Sequence, residues 1–189
     1  MRPSSLVALV SALLLSSSLS GCSRAARSGT ASGLPAEGAP TGASPAAERS
    51  LPEEKLLALD GSTKQLSEIV RGKVAVIDLW ATWCTSCRQV SAHVASFAEA
   101  HAADSGMVVI GLDIGEELPI VASFLEGKKH AHPFFLDPAM KITDDLSLRE
   151  LPTIIVVDRK GRIVHISRDL DPKTLQMIDA ELTAVPPPG

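Results

Sequence analysis

The sequence predicts an α/β fold in which a central mixed β-sheet is sandwiched by α-helices, with an added N-terminal strand or hairpin. Three observations predict it. Residues 73–80 and 107–114 are short, nearly continuous apolar runs, as expected of strands covered on both faces. Stretches with apolar residues at helical spacing alternate with them. Two short β-rich runs joined by Arg159-Lys160-Gly161 then precede a closing helix.

The first fifty of the 189 residues read differently from the rest, so the length supports one ordinary domain plus a leader. A short basic start at Arg2 is followed by an apolar stretch from Leu6 to Leu15, too short to span a bilayer and suited to the core of a secretory signal. It ends in Leu19-Ser20-Gly21-Cys22, which resembles the lipobox of bacterial lipoproteins. That resemblance implies cleavage after residue 21 and a lipidated Cys22 at the new N-terminus; an ordinary signal cleaved elsewhere is the alternative. Residues 23–50 are rich in Ala, Ser, Gly and Pro without apolar period, and are expected to be a disordered linker spanning roughly 30 Å on average. The folded domain is expected over residues 51–184, ahead of a Pro-rich tail at 185–189.

Within the domain, Leu56 to Gly61 reads as an extra strand and turn. Lys73 to Trp80 is the first buried strand, and Cys87, Val90, Val94, Phe97 and Ala98 mark a helix running from Cys84 to about His101. Met107 to Ile114 is the second buried strand, followed by a helix from about Leu118 to Lys128. Pro133 to Leu136 reads as a short strand, with a helical stretch from Met140 to Leu148. Strands at 153–158 and 162–167 make the hairpin, with Gly161 where positive φ is easiest. Asp171 as N-cap and Pro172 in the first turn open the last helix, ending near Leu182.

Composition narrows the function. Aromatic residues are 3% of the chain and there is no Tyr, which argues against base-stacking platforms. A net charge of −4 without an extended basic run argues against a surface that tracks phosphates. No nucleic-acid partner is expected. Of the three cysteines, one falls at the processing site and two form the pair Cys84 and Cys87.

Two residues between cysteines put the second sulfur one helical turn on, close enough to bond to the first. A helix N-terminus offers free N–H groups and the positive end of the macrodipole, both of which favour a thiolate. The pair is therefore either an attacking and a resolving thiol or half of a zinc site. Zinc needs two further ligands, and the mature domain has no other Cys. His93, six residues past Cys87, lies about 9 Å along the helix and roughly 120° around it. A copper-binding reading would take the two thiolates plus His130, His132 or His165. A peroxidase reading lacks a Pro-x-x-x-Thr-x-x-Cys run before Cys84. Asp78 stands among Val74, Val76, Ile77, Leu79 and Trp80. Buried, its carboxyl would have a raised pKa and suit proton transfer with Cys87; spacing alone favours a strand-end Asp that reaches solvent.

The run Ile77-Asp78-Leu79-Trp80-Ala81-Thr82-Trp83-Cys84-Thr85-Ser86-Cys87-Arg88 resembles the thioredoxin active site, and most closely its exported TlpA/ResA-like branch. Leu151-Pro152-Thr153 is similar to that family's cis-proline loop, residues 158–164 to its closing hairpin, and Leu59-Asp60-Gly61-Ser62 to its added N-terminal strand. The resemblance covers roughly residues 55–183 and implies a thioredoxin-like fold. It further implies Cys84 as nucleophile, Cys87 as resolving thiol, Asp78 as buried carboxyl, and Trp83, Leu151 and Pro152 as substrate-facing residues. The implied activity is thiol–disulfide exchange with exported protein thiols and disulfides, without cofactor or metal. A membrane electron donor of the CcdA/DsbD type would resupply it on the periplasmic side of a membrane. Apocytochrome thiols or a misoxidised lipoprotein fit as targets, and a monomer is expected. Three positions depart from the family pattern: Thr85-Ser86 replaces a Pro-containing dipeptide, Ala92 a kinking Pro, and Val109 the lysine that accompanies the buried Asp.

Overall fold

The computed structural model describes residues 49–184. The leader, Cys22, residues 23–48 of the linker and the 185–189 tail lie outside the described residues. Seven strands, β1 (Lys55–Ala58), β2 (Thr63–Gln65), β3 (Val74–Trp80), β4 (Met107–Ile114), β5 (Phe134–Asp137), β6 (Thr153–Val157) and β7 (Ile163–Ser167), form one sheet in the order β2-β1-β5-β4-β3-β6-β7. β3, β4 and β5 are parallel neighbours, while β6 runs antiparallel to β3, and β1 to β5. The mixed sheet is as expected, and the N-terminal addition is the hairpin β1–β2.

Helices α1 (Leu66–Val70), α2 (Cys87–Ala100), α3 (Leu118–Leu125), α4 (Lys141–Asp145) and α5 (Pro172–Thr183) cover both faces. The two-residue period of β3 divides the core. Val74 and Val76 pack with Val90 and Val94 of α2 and Ile178 of α5, whereas Ala75, Ile77 and Leu79 pack with Val70 of α1 and Ile142 of α4. All seven residues of β3 are buried, which is why its sequence is a continuous run and not an alternation.

Several boundaries move, each for a local reason. Helix α2 begins at Cys87, not Cys84, because residues 82–86 form turns that carry the chain from β3 into the helix. α3 stops at Leu125, ahead of Gly127 at φ 72°. α4 is bounded by Met140 and Ser147, both at positive φ. Arg49 and Ser50, expected in the linker, are tied to the hairpin: Ile163 N–H donates to the Arg49 carbonyl at 2.7 Å, and Ser50 bridges to Arg162. The chain therefore joins the sheet edge two residues early. Asp171 caps α5 as expected, accepting from Thr174 N–H at 2.7 Å, with Pro172 in the first turn.

Candidate active site

Cys84 and Cys87 form a disulfide where β3 hands over to α2. Cys84 closes a turn, its N–H donating to the Ala81 carbonyl at 3.1 Å. Cys87 is the first residue of α2, and its N–H points at the Cys84 sulfur from 3.2 Å. That sulfur therefore sits just ahead of the helix, where unpaired N–H groups and the positive dipole end favour negative charge on it. The Ser86 hydroxyl, 3.5 Å from the same sulfur, is another polar neighbour in the Thr85-Ser86 dipeptide.

Both cysteines are buried, while Trp83 beside them is 67% exposed. The Leu151–Pro152 bond is cis, and Leu151 packs against the cluster that holds Trp80, Cys84 and Cys87. Sequence positions almost seventy apart are thus brought to one surface. Arg168 ties this loop down, pairing with Glu150 and donating to the Leu151 carbonyl at 3.1 Å.

Asp78 is wholly buried, so the expectation from spacing alone, a strand-end Asp reaching solvent, is corrected: the strand continues to Trp80 and helix α2 covers it. Opposite Asp78 in the sheet register stands Gly111, over which the Phe134 ring lies so closely that no side chain would fit there. One Asp78 oxygen accepts from the Ser91 hydroxyl at 2.7 Å, and the other has no partner. Desolvation pushes the Asp78 pKa up to about 6, against the lowering effect of Ser91 and with a smaller push from the Asp169 charge. Val109, where a lysine was missed, lies in the apolar layer beside Val76. Ser91 follows Cys87 by four residues and so shares its helix face, and its hydroxyl is the donor to the Asp78 carboxyl.

A cavity of about 330 Å³ opens beside Cys87, walled by Trp80, Phe124 and Phe134 and rimmed by Arg88 and Lys129. Trp80 holds its wall in place through ring contacts with Phe124 and Phe134 at 5.6 and 5.5 Å. His130 and His132 line the same cavity, and burial lowers the His132 pKa to about 4. His165 lies on β7 and His93 pairs with Asp169 at 3.1 Å. Among the described residues no group of three or more His, Cys, Asp or Glu is arranged to hold a metal ion.

Three polar residues escaped the sequence reading. Ser91, Asp113 and Glu116 are all within the site's surroundings, and Asp113 carried the same signal as Asp78, a carboxyl inside a buried apolar run. Glu116 accepts from both Thr82 N–H and the Thr82 hydroxyl, two residues before Cys84.

Comparison with known proteins agrees with this geometry. The family model described as Redoxin matches residues 41–182. The chain is 31% identical over 143 residues to the thiol:disulfide interchange protein DsbE of Allochromatium vinosum, covering 74% of this chain and 70% of that one. It is 24% identical over 107 residues to the thiol-disulfide oxidoreductase ResA of Bacillus subtilis, covering 57% of this chain and 59% of ResA. The fold is similar to that of the pneumococcal exposed lipoprotein thioredoxin from Streptococcus pneumoniae, with TM-score 0.55 and 21% identity over 67% of this chain and 98% of that one.

Proposed function

This chain belongs to the Redoxin family as a thiol–disulfide oxidoreductase, and on that premise we propose that it is a lipid-anchored disulfide reductase for exported proteins, with Cys84 as nucleophile and Cys87 as resolving thiol. The observation that carries the reading is the bonded Cys84–Cys87 pair at the start of α2, with the Asp78 carboxyl buried behind Ser91.

In the reductive direction the Cys84 thiolate attacks one sulfur of a substrate disulfide, and the other substrate sulfur leaves as a thiolate. Cys87 then loses its proton and attacks the Cys84 sulfur, releasing the second substrate thiol. The substrate gains two electrons and the Cys84–Cys87 disulfide forms. An Asp78 carboxyl with a pKa near 6 is matched to accept the Cys87 proton near neutral pH, through the Ser91 hydroxyl. Exposed Trp83 and the loop at Leu151 and Pro152 suit the docking of a partner's backbone, and the apolar cavity beside Cys87 suits one of its side chains.

Cys22 places the domain on the periplasmic face of a membrane by lipid modification, where a donor of the CcdA/DsbD type returns electrons to the monomeric protein. The Leu19-Ser20-Gly21-Cys22 run supports this, together with fold similarity to an exposed lipoprotein thioredoxin. Several acyl chains at about 0.8 kcal/mol per buried methylene anchor durably.

Insulin reduction by the purified protein tests the exchange. Cys84→Ala abolishes turnover, and Cys87→Ala accumulates mixed disulfides with substrates; efficient turnover by Cys84→Ala removes the assigned roles. The Cys84–Cys87 potential in glutathione buffers decides direction, a value near the strong oxidants making the protein a disulfide donor instead. Radioactive palmitate retained by the parent and lost in Cys22→Ala establishes the anchor.

A further inference from the structure

Two buried carboxyls lie beside the exchange site, and neither takes part in the chemistry above. Glu116, in the loop between β4 and α3, spends both oxygens on one residue: one accepts from Thr82 N–H at 2.5 Å, the other from the Thr82 hydroxyl at 2.6 Å. Thr82 belongs to the turn that Cys84 closes by donating to Ala81, so Glu116 grips the segment that delivers the nucleophile. This tie crosses 34 positions of sequence and is buried at the Glu116 end. Charge-assisted bonds of this kind are about twice as strong as neutral ones.

Asp113 stands behind it. It is wholly buried near the end of β4, opposite Trp80 of β3 and Leu136 of β5, and neither oxygen makes a well-formed hydrogen bond, although the Glu116 N–H acts on it in the direction that favours the charged form. The charged group acting on it is the Glu116 carboxyl. Two carboxylates can only accept, so any hydrogen bond between the Asp113 and Glu116 side chains requires a proton on one. Both Glu116 oxygens already accept from Thr82, which leaves Asp113 as the place for that proton.

We propose that Glu116 is a positioning residue for disulfide exchange, holding the Ala81–Cys84 turn in its attacking geometry, and that a single proton on Asp113 keeps this clasp closed. The inference deepens the reading of Cys84 as nucleophile and rests on it. Burial, followed by the Glu116 interaction, raises the Asp113 pKa to about 8. Below that pH the pair carries one negative charge and the clasp holds. Above it two carboxylates face each other in a buried space with no cation acting on Asp113, Glu116 is driven toward water, and the turn loses both ties.

The test follows the rate of exchange between the reduced full-length protein and a small aromatic disulfide from pH 6 to 10, beside a carbon-13 NMR titration of the Asp113 carboxyl. The parent rate rises with thiolate formation and breaks downward past about pH 8, where Asp113 titrates. Asp113→Asn, permanently neutral, keeps the neutral-pH rate and loses the break. Glu116→Gln lowers the neutral-pH rate by about tenfold, as loss of a charged hydrogen bond implies, and also loses the break. Thr82→Val, which leaves the backbone tie, is intermediate and retains the break; it serves if Glu116→Gln does not fold. An Asp113 that titrates below pH 5, or parent and Asp113→Asn profiles that run parallel, overturns the clasp. A parent without exchange at any pH strikes the cysteine assignment instead, and the Asp113 titration still judges the clasp.

Discussion

Replacing Asp78 by Asn should stabilise this protein at neutral pH and leave it almost unchanged in acid. Asp78 is wholly buried, with one hydrogen bond from Ser91 and one oxygen without a partner. Its folded pKa of about 6 lies above the value of 3.8 expected in an unfolded chain. Well below the unfolded value of 3.8 both states hold the proton and the residue exacts no penalty. As pH rises toward 6 the unfolded chain sheds its proton while the folded one retains it, so stability falls; above about 6 both are ionised and the loss is constant. The gap corresponds to about 3 kcal/mol at pH 7.5. Asn fills the same volume and accepts the Ser91 bond without ever ionising. Urea unfolding of the oxidised protein at pH 4, 5, 6 and 7.5 should therefore show parent and variant within about 0.6 kcal/mol of each other at pH 4. They should diverge to about 3 kcal/mol at pH 7.5, roughly 10 °C in melting temperature. The difference between the two proteins isolates Asp78, because Asp113 contributes a slope of the same sign to both. A gap that stays constant from pH 4 to pH 7.5 would refute the burial argument. In the same variant, release of mixed disulfides by Cys87 should slow, trading activity for stability.

Ser91→Ala removes the hydrogen bond that holds the Asp78 pKa down, so the midpoint for mixed-disulfide release should move above about pH 6, with a stability loss of about 1–3 kcal/mol at pH 7.5. Stopped-flow release kinetics against pH would measure it, and an unmoved midpoint counts against a Ser91 link. Gly111→Ala places a methyl 2.5 Å from two carbons of the Phe134 ring, forcing the ring off the sheet and costing about 1–3 kcal/mol in urea unfolding. Because Phe134 also walls the cavity beside Cys87, a neutral effect would mean that the ring is free to move.

The local chemistry was legible in the chain. Continuous apolar runs announced β3 and β4, Asp171-Pro172 announced α5, and Trp83-Cys84-Thr85-Ser86-Cys87 announced a redox pair, because each depends on spacing along one element. The resemblance of residues 77–88 and 151–153 to thioredoxins supplied the family setting, and the cis bond before Pro152 agrees with it. Spacing misjudged what depends on covering. It favoured a solvent-reaching Asp78, since nothing in β3 itself says that α2 will close over the strand end and Phe134 over the neighbouring Gly111. It started α2 three residues early, because helical periodicity does not distinguish a preceding turn from a first helical turn. Ser91 and Glu116 stayed silent altogether. Their partners lie 13 to 34 positions away, and only the parallel pairing of β3 with β4 and the packing of α2 on the sheet bring them together. Sequence determined which atoms can exchange electrons here; tertiary structure decided which carboxyls are stripped of water around them, because desolvation is a property of what packs against a residue and not of the residues beside it in the chain.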